Sequence, residues 1–394
     1  MNTVDAAGVP IGDGHPPRIM GVLNVSEESP YDPSVFDDPG EAAAYVDETL
    51  IAEGADVVDV GLESANKRFE VLGPEAELER LDTAVAVLES TSRDAVFSIE
   101  TRYAEVADAA LSRGFDVVND ICGFADPEMP AVCREHGAPV VKMASPPDLE
   151  RPGAVEEVDW TARKGPEWAA AADYVDMVYE ALKHNGLTED TVVDPAFGGW
   201  SEAKTLADDR ETFRRLREFR GLGQPVLVSI NRKNFLKAVA GRETEAALPV
   251  SLAATSIAVE RGAHVVRTHD VAETRDAALI GHEFARDLAR GTDGVAVDRL
   301  DVATADEARR HAERLGTDPE VADRVEVLVY EVRGLDGSAE RTLAERARAA
   351  GAAYAGGSEP GTGLLVGTRT VLATLGTGER RGLPATLLEA LPDV

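Results

Sequence analysis

The sequence is poor in cysteine and contains no long apolar run. Its two cysteines, Cys122 and Cys133, form no CxxC pattern, which argues against a disulfide framework or a zinc site and favours buried thiols in a reducing cytosol. No run of about 18 apolar residues is present, so no transmembrane helix is predicted. The first residues lack a basic segment followed by an apolar stretch, so no signal peptide is expected.

Lysine is also scarce, whereas acidic residues are abundant. Only 7 of the 40 basic residues are lysine, against 72 aspartates and glutamates, and the formal net charge is −32. The acidic residues are spread along helix-like segments, which is typical of a solvated, halophile-like surface screened by salt. Such a surface disfavours nucleic acids and anionic membranes as partners. Each lysine is therefore more informative than usual.

A dinucleotide-binding glycine pattern is missing as well. No GxGxxG follows the first apolar run, which leaves a doubly wound open sheet as the weaker alternative. Between Arg18 and Arg290, eight β-branched runs alternate with helix-like segments. The eight runs cover residues 19–25, 56–60, 95–100, 116–120, 139–143, 191–195, 225–230 and 264–269. Continuous apolar strands covered by helices in about 270 residues predict a (β/α)₈ TIM barrel.

The helix-like segments between these runs have recognisable ends. They include residues 40–53, 75–90, 103–113, 167–185, 207–219, 250–261 and 270–288. Gly54, Gly114, Gly137 and Gly262 lie just past predicted helix ends, where a left-handed residue is needed. The positions of these glycines support a repeated strand–helix unit.

Composition divides the chain into four parts. Residues 1–17 are predicted to be a flexible lead-in, 18–290 the TIM barrel, and 291–301 a linker. Residues 302–394 alternate helix-like and strand-like stretches, which predicts a small α/β domain to which no role is assigned. Its glycine-rich segment 356–363 favours a plain loop over an anion site.

Polar residues follow almost every predicted barrel strand. They are Asn24, Glu63, Ser64, Glu100, Asn119, Asp120, Lys142, Asp194, Arg232, Lys233, Arg267, His269 and Asp270. A single such residue is more often a turn or cap residue. The carboxyl ends of barrel strands converge on one face, however, so the full set predicts a functional site there.

This set favours two kinds of ligand group. Asp194 and Asn119 offer acceptors and an amide donor that suit a flat heterocycle with an amino group beside a ring N–H. Arg267 and His269 precede a helix that starts near Asp270, and Lys233 lies in the neighbouring loop. Guanidinium, imidazole and a helix N-terminus are suited to a phosphoryl group.

Eight segments together resemble, in order, the motifs of the dihydropteroate synthase family. They are IMGVLNVSEES (19–29), VVDVGLES (57–64), FSIET (97–101), VVNDICGFADPEM (117–129), GAPVVKM (137–143), VVDPAFGG (192–199), PVLVSINRKNF (225–235) and RTHDVAETRDA (267–277). The resemblance covers about residues 18–290. It implies a transferase of folate biosynthesis that condenses 6-hydroxymethyl-7,8-dihydropterin diphosphate with 4-aminobenzoate, giving dihydropteroate and diphosphate.

The resemblance also assigns roles. Asn24 would ligate Mg²⁺ on the diphosphate, while Arg267 and His269 would hold the diphosphate itself. Asp194 and Asn119 would bind the pterin edge, and Lys233 would reach both the pterin and the aminobenzoate pocket. Lys233, Arg267 and His269 are accordingly the predicted catalytic residues.

Four departures from the family pattern are notable. Ala65 and Asn66 stand where the family has threonine and arginine, and we hypothesise that Arg68 replaces that arginine. Glu100 stands where aspartate is usual, and Asn234 where serine is usual, beside the aminobenzoate site. MASPP (143–147) replaces Met-His-Met. Both Glu100 and Asn234 are predicted to contact substrate.

Two other functions remain open. A pterin-dependent methyltransferase would keep Asp194 and Asn119 but would need no diphosphate site. A paralogue altered at Ala65, Asn66 and Glu100 could bind a pterin without turnover. Small-molecule substrates, a cytoplasmic location and pairing of two copies through barrel helices are the remaining expectations.

Overall fold

The computed structural model describes residues 1–25, 34–36, 38–63, 71–92, 94–285, 300–377 and 382–392. The chain forms two compact units, Met1–Arg299 and Leu300–Val394. Among the described helices, none is long and apolar enough to cross a membrane.

The first unit contains eight parallel strands that follow a short hairpin of β1 (Val4–Ala6) and β2 (Val9–Ile11). The parallel strands are β3 (Arg18–Asn24), β4 (Val57–Gly61), β5 (Val96–Thr101), β6 (Val117–Asp120), β7 (Val140–Met143), β8 (Thr191–Asp194), β9 (Leu227–Val228) and β10 (Val265–Thr268). Their order in the sheet is β8-β7-β6-β5-β4-β3-β10-β9. A parallel bridge between Val193 and Val226 joins the two ends. The sheet is closed, so the TIM barrel is confirmed and the doubly wound alternative is wrong.

Helices surround this barrel. They are α1 (Pro39–Tyr45), α2 (Pro74–Ser90), α3 (Ala104–Ser112), α4 (Met129–His136), α5 (Trp160–Lys164), α6 (Pro166–Ala171), α7 (Tyr174–Lys183), α8 (Leu206–Arg214), α9 (Asn234–Ala240), α10 (Leu248–Glu260) and α11 (Val271–Glu283). A π-helix (Val46–Ile51) continues α1, and 3₁₀-helices occupy Val155–Glu157 and Leu216–Leu222. The single helix predicted over 167–185 is two helices, because Asp173 forms a capping box with Asp176 and starts α7 anew.

The amino-terminal end of the barrel is filled by apolar side chains. Each strand contributes one residue to this layer: Met20, Val57, Val96, Val117, Val141, Val192, Leu227 and Val265. Val4, Ala6 and Ile11 of the hairpin lie against them. The prediction of a flexible lead-in over 1–17 is therefore wrong, because an apolar barrel end needs a cover and the hairpin provides it.

The second unit is a three-stranded antiparallel sheet with helices. Its strands, in the order β11-β13-β12, are β11 (Val327–Val332), β12 (Ala353–Gly356) and β13 (Gly363–Thr368). Its helices are α12 (Ala305–Leu315), α13 (Gly337–Ala350), α14 (Arg369–Thr377) and α15 (Ala385–Ala390), with a 3₁₀-helix over Pro319–Arg324. In the glycine-rich loop, a Cβ at Gly361 would lie 2.2 Å from the Leu335 carbonyl oxygen. At this position the loop therefore packs closely against the backbone of Leu335.

Candidate active site

The pleat of the barrel strands decides which polar residues face inward. Side chains alternate along a strand, so residues two positions beyond the apolar layer point to the same interior. Asp59, Asn119, Asp194 and Arg267 each follow an apolar-layer residue at this spacing. One further step of two residues reaches Asn24, Glu100 and His269. The carboxyl-terminal half of the barrel interior is therefore lined by ionisable and amide groups.

The same alternation places two residues of the predicted set outside the barrel. Lys142 is fully buried, donates to the carbonyl oxygens of His184 and of Gly186 (2.7 Å), and lies 4.5 Å from the ring centroid of Phe124. Burial lowers the pKa of Lys142 to about 7. Asp120 accepts backbone N–H groups within the loop that follows β6. Neither side chain shares the interior with Asp194.

Other members of the predicted set form ion pairs at the rim. Arg232 binds Asp270 through two contacts of 2.8 and 2.9 Å. Glu63 pairs with Arg102, whose side chain is 1% exposed, and also accepts the Leu72 N–H at 2.8 Å. These pairs hold rim loops in place, and Arg232 and Asp270 also act electrostatically on His269.

A network around Arg267 occupies the middle of the interior. Arg267 Nε donates to Asp59 Oδ2 at 2.7 Å, and its Nη2 donates to Glu100 Oε2 at 2.7 Å. Asn119 Nδ2 donates to the same Asp59 oxygen at 2.9 Å and lies 3.5 Å from Glu100 Oε2. Two carboxylates from neighbouring strands thus fix the amide and the guanidinium relative to each other.

Sequence reasoning missed Asp59 because it considered only the strand ends. Asp59 is in mid-strand and completely buried, yet it bonds both Arg267 and Asn119. Its Oδ1 atom, like the Oγ of the neighbouring Ser98, has no hydrogen-bond partner among the described residues. An acidic residue inside an otherwise apolar buried strand was the available signal, because burial of an unpaired carboxylate is unfavourable.

Asp194 lies across the interior from this network. It is 6% exposed, and its Oδ1 accepts the Ala196 N–H at 2.8 Å. The chain then turns through Ala196 (φ 62°) and Gly198 (φ 120°). Asp209 accepts the Gly198 N–H and pairs with Lys204 at 2.9 Å. This arrangement presents the free edge of Asp194 to the interior.

Lys233 reaches the same space from the loop before α9. A Cβ at position 198 would lie 3.1 Å from Lys233 Nζ, so Gly198 leaves room for the lysine. The ammonium group lies 5.8 Å from the ring centroid of Trp200. Its neighbours include Asp194 and Arg267 as charged groups that shift its pKa. Lys233 and Asp194 therefore belong to one site.

Burial strongly shifts the titration of these groups. It raises the pKa of Glu100 to about 7, against the attraction of Arg267, and the pKa of Asp194 to about 6. It lowers the pKa of Lys233 below its usual range. Burial, with repulsion from Arg267, lowers the pKa of His269 to about 3. His269 is thus a neutral imidazole near neutral pH and binds through hydrogen bonds instead of charge.

Asn24 offers a single oxygen ligand at the rim. Its Nδ2 donates to Ser34 Oγ at 3.1 Å, and Ser34 Oγ is 3.4 Å from His269 Nδ1. A side chain at Gly61 would place its Cβ 2.9 Å from Asn24 Oδ1. The described residues contain no cluster of three or more His, Cys, Asp or Glu that could hold a metal. The site fits an Mg²⁺ ion that takes most of its ligands from phosphate and water, as this ion commonly does.

Two predicted binding residues remain apart from this geometry. Arg68 lies outside the described residues, together with Ala65 and Asn66. Asn234 is the exposed first residue of α9, immediately after Lys233. Its role stays a prediction.

This geometry agrees with a comparison against protein families. The model of the family described as pterin binding enzyme matches residues 20–269, which is more than half of the chain and includes every interior residue from Asn24 to His269. The chain belongs to the pterin-binding enzyme family. The resemblance seen in the eight sequence motifs is confirmed.

Two relatives within this family illustrate the similarity. The chain is 34% identical over 262 residues to a Halobacterium salinarum protein named a probable bifunctional folylpolyglutamate synthase/dihydropteroate synthase, covering 66% of this chain and 31% of that protein. It is 29% identical over 256 residues to dihydropteroate synthase of Bacillus subtilis, covering 64% and 83%. The chain thus spans about a third of the length of the Halobacterium relative.

The pterin-binding fold is also matched by solved structures. Dihydropteroate synthase from Thermus thermophilus in complex with 4-aminobenzoate superimposes with a TM-score of 0.55 at 29% identity. The match covers 72% of this chain and 99% of that one. The similarity extends over essentially the whole of the solved enzyme.

Proposed function

We propose that this pterin-binding barrel is a dihydropteroate synthase, which joins 6-hydroxymethyl-7,8-dihydropterin diphosphate to 4-aminobenzoate and releases diphosphate in folate biosynthesis. The observation that carries the proposal is the interior network of Arg267, Asp59, Asn119 and Glu100, facing Asp194 and Lys233 in one opening. It combines acceptors for a heterocycle with cations for a leaving anion. The named relatives support the same activity.

Asp194 and Asn119 are suited to the pterin. The free edge of the Asp194 carboxylate can accept two parallel N–H bonds from an amino group and the adjacent ring N–H. Asn119 is already oriented by Asp59 at 2.9 Å, and its amide oxygen can accept a further N–H. Because both groups are buried, these bonds are stronger than they would be in water.

Arg267, His269 and Asn24 are suited to the diphosphate. A guanidinium has five N–H donors, and the contacts with Asp59 and Glu100 use two of them. Neutral His269 can add a hydrogen bond without adding charge. Asn24 Oδ1 would hold Mg²⁺ in the proposed complex, and the ion would neutralise part of the diphosphate charge.

In the proposed reaction, the diphosphate leaves before the amine of 4-aminobenzoate attacks. The bond between the exocyclic methylene carbon and the diphosphate oxygen breaks, and its electron pair leaves with the diphosphate, which Arg267 stabilises. The buried carboxylates of Asp194 and Asp59 stabilise the cation that is delocalised into the pterin. The amine of 4-aminobenzoate then forms the carbon–nitrogen bond and loses a proton to water. An amine attached to a benzene ring needs no strong base for this loss.

Lys233, Arg68 and Asn234 complete the proposal at the acceptor side. Lys233 lies beside Trp200 and interacts electrostatically with Asp194, and it is proposed to reach both the pterin and the incoming benzoate. Arg68 is proposed to supply the cation that Asn66 lacks. Asn234 begins α9 immediately after Lys233 and is proposed to contact the carboxylate of 4-aminobenzoate.

A direct assay tests the activity. Purified protein, kept in high salt because of its acidic surface, is given the pterin diphosphate, 4-aminobenzoate and Mg²⁺. We expect equal amounts of diphosphate and dihydropteroate, measured by coupled phosphate release and mass spectrometry. Omission of Mg²⁺ should reduce the rate. Methyl transfer from a reduced pterin without diphosphate release would instead support the methyltransferase alternative.

Helices α10 and α11 offer a surface for pairing of two copies. Ile257, Ile280 and Phe284 are 43%, 57% and 75% exposed, and α10 carries only Glu260 as a charged residue. In a chain with a net charge of −32, a surface that includes the nearly uncharged helix α10 is where two copies repel each other least. We expect a dimer by light scattering that dissociates in Phe284→Glu. A monomeric wild type contradicts this expectation.

The proposed location is the cytoplasm of a cell with high internal salt. Cys122 and Cys133 are free, buried thiols, as expected for a reducing compartment. The excess of carboxylates is compatible with molar salt. A rise in thermal stability between low and molar KCl is the expected result.

A further inference from the structure

Glu100 accepts a hydrogen bond from the guanidinium of Arg267, the group that is proposed to bind the diphosphate. The distance from Glu100 Oε2 to Arg267 Nη2 is 2.7 Å, equal to the distance from Asp59 Oδ2 to Arg267 Nε. The two carboxylates differ in burial, because the Asp59 side chain is 0% exposed and the Glu100 side chain is 13% exposed. Asp59 is an interior anchor, whereas Glu100 approaches Arg267 from the open side.

A ligand anion entering from the open side meets Glu100 as well as Arg267. Two anions beside one cation repel each other strongly where water is excluded. The groups that face Glu100 are Asp59 on β4, Asp194 on β8 and Glu77 on α2 as acids, and Lys233 before α9 as the second cation. Ionised Glu100 is a fourth acid around only two cations, so it adds a negative charge beside the guanidinium that would bind the diphosphate.

We propose that Glu100 is an internal competitor for Arg267, so that the substrate's diphosphate binds more tightly when Glu100 gives up this ion pair. The inference rests on the proposed function for the identity of the anion. Glu100 thereby acts as a specificity-determining residue for an anionic leaving group. Asp59 keeps Arg267 in place during the exchange, because it binds Nε and not the Nη2 nitrogen that Glu100 engages.

The length of the Glu100 side chain is essential to this competition. Glu100 is the second-last residue of β5 and reaches Arg267 on β10, which is separated from β5 by β4 and β3 in the sheet. An aspartate at this position would be one carbon–carbon bond shorter and would withdraw from Nη2. Glu100→Asp should therefore weaken the competition without removing the charge.

The competition also has a defined pH dependence. Burial raises the pKa of Glu100 to about 7, so the carboxylate that binds Arg267 predominates above this pH and is protonated below it. Arg267 is consequently released as the pH falls. The competition is expected to be strong at pH 8 and nearly absent below pH 6.

The test is titration calorimetry of inorganic diphosphate into the whole protein, in high salt with Mg²⁺. Glu100→Gln keeps the size of the side chain but removes its charge, and we expect diphosphate to bind about tenfold more tightly than in the wild type at pH 8. Glu105→Gln on the exposed side of α3 is the matched control for the change in net charge and should leave the affinity unchanged. Unchanged or weaker binding in Glu100→Gln would overturn the proposal.

Two additional measurements exclude an indirect effect. In an Arg267→Met background, Glu100→Gln should no longer improve binding, because the cation for which both anions compete is gone. A tightening that persists without Arg267 contradicts the competition. Glu100→Asp should bind about threefold more tightly than the wild type, and it provides the test if Glu100→Gln does not fold.

Proton uptake provides a readout that a purely structural glutamate would not change. Calorimetry at pH 7.5 in two buffers of different ionisation enthalpy should show more proton uptake by the wild type than by Glu100→Gln, because a displaced Glu100 beside diphosphate gains a proton. Equal uptake contradicts the proposal. If the protein forms no dihydropteroate but these binding differences appear, the proposed function fails and the competition between Glu100 and diphosphate stands.

Discussion

The two ends of the barrel interior are built from the same strands but have opposite chemistry. At the amino-terminal end, Val57, Val192 and Val265 form part of a closed apolar layer covered by the N-terminal hairpin. Two residues further along the same strands, the interior carries Asp59, Asp194 and Arg267. A step of two residues along a strand is about 7 Å.

The short distance between these layers shows how the barrel separates stability from chemistry. The apolar layer excludes water from the amino-terminal side of the ionisable layer and so contributes to its burial. Burial raises the pKa of Glu100 to about 7 and the pKa of Asp194 to about 6. The ionisable layer in turn depends on rigid strands to hold its distances. Substitutions in the two layers should therefore have distinct consequences.

The two ends of strand β8 give the largest expected contrast. Asp194→Asn should lower kcat/KM for the pterin diphosphate by about 100-fold, because a buried charged acceptor of two N–H bonds is lost. Asp190→Asn makes the same chemical change at the exposed amino-terminal end and should leave kcat/KM unchanged. Steady-state kinetics checks both. Equal losses in the two variants would remove the distinction between the ends.

Strand β4 allows the two layers to be compared two residues apart. Asp59→Asn should raise KM for the pterin diphosphate about tenfold, since Arg267 loses a charged anchor. Val57→Ala should leave KM unchanged and lower the free energy of unfolding by about 2 kcal/mol through a cavity in the apolar layer. Urea unfolding and kinetics are measured for each. The opposite pattern would show that the layers are not separate.

Asp13, which follows the N-terminal hairpin, provides a test of the structure at the amino-terminal end of the barrel. Arg220 Nη2 donates to both Asp13 oxygens at 3.0 Å, and His264 Nε2 lies 3.1 Å from Asp13 Oδ1. Although burial acts in the opposite direction, His264 and Arg220 hold the pKa of Asp13 well below its usual range. We expect Asp13→Asn to cost about 2 kcal/mol of unfolding free energy, because Arg220 is left buried and unpaired.

The sign of the pH dependence follows from this lowered pKa. A carboxyl group with a depressed pKa in the folded state stabilises fully above its unfolded pKa of about 4 and loses this effect as the pH falls further. The stability difference between wild type and Asp13→Asn should be constant from pH 7 to pH 5 and shrink below pH 4. An equal difference at pH 3 contradicts the assignment.

The smallest effect is expected outside the barrel wall, at Lys142. Lys142→Met should keep kcat within about twofold and lower the unfolding free energy by about 1 kcal/mol, because the carbonyls of His184 and Gly186 lose their donor. Kinetics and chemical denaturation measure the two effects. A strong loss of activity would indicate that Lys142 takes part in the active site, and it would contradict the placement of this side chain outside the barrel interior.

Much of the site was predictable from the positions of polar residues at strand ends. Asn24, Asn119, Asp194 and Arg267 all face the interior as expected, and the eight strands occur where the apolar runs placed them. Lys142 was wrongly assigned to the barrel interior. An error of one residue in a predicted strand boundary exchanges the inward-facing and outward-facing side chains of that strand. Asp59 was missed because a position in mid-strand does not show which groups of other strands will reach it.

The sequence by itself determined the barrel, the alternation of its strands and helices, and the family motifs, because these depend on local periodicity and on residue types at fixed spacing. It also supplied the left-handed glycines after helices, such as Gly54 and Gly137. Only the tertiary structure decided that residues 4–11 cover the barrel and that Glu100 engages Arg267. Those contacts join residues far apart in the chain, and their energies depend on burial and distance, which exist only once the strands have closed into a ring.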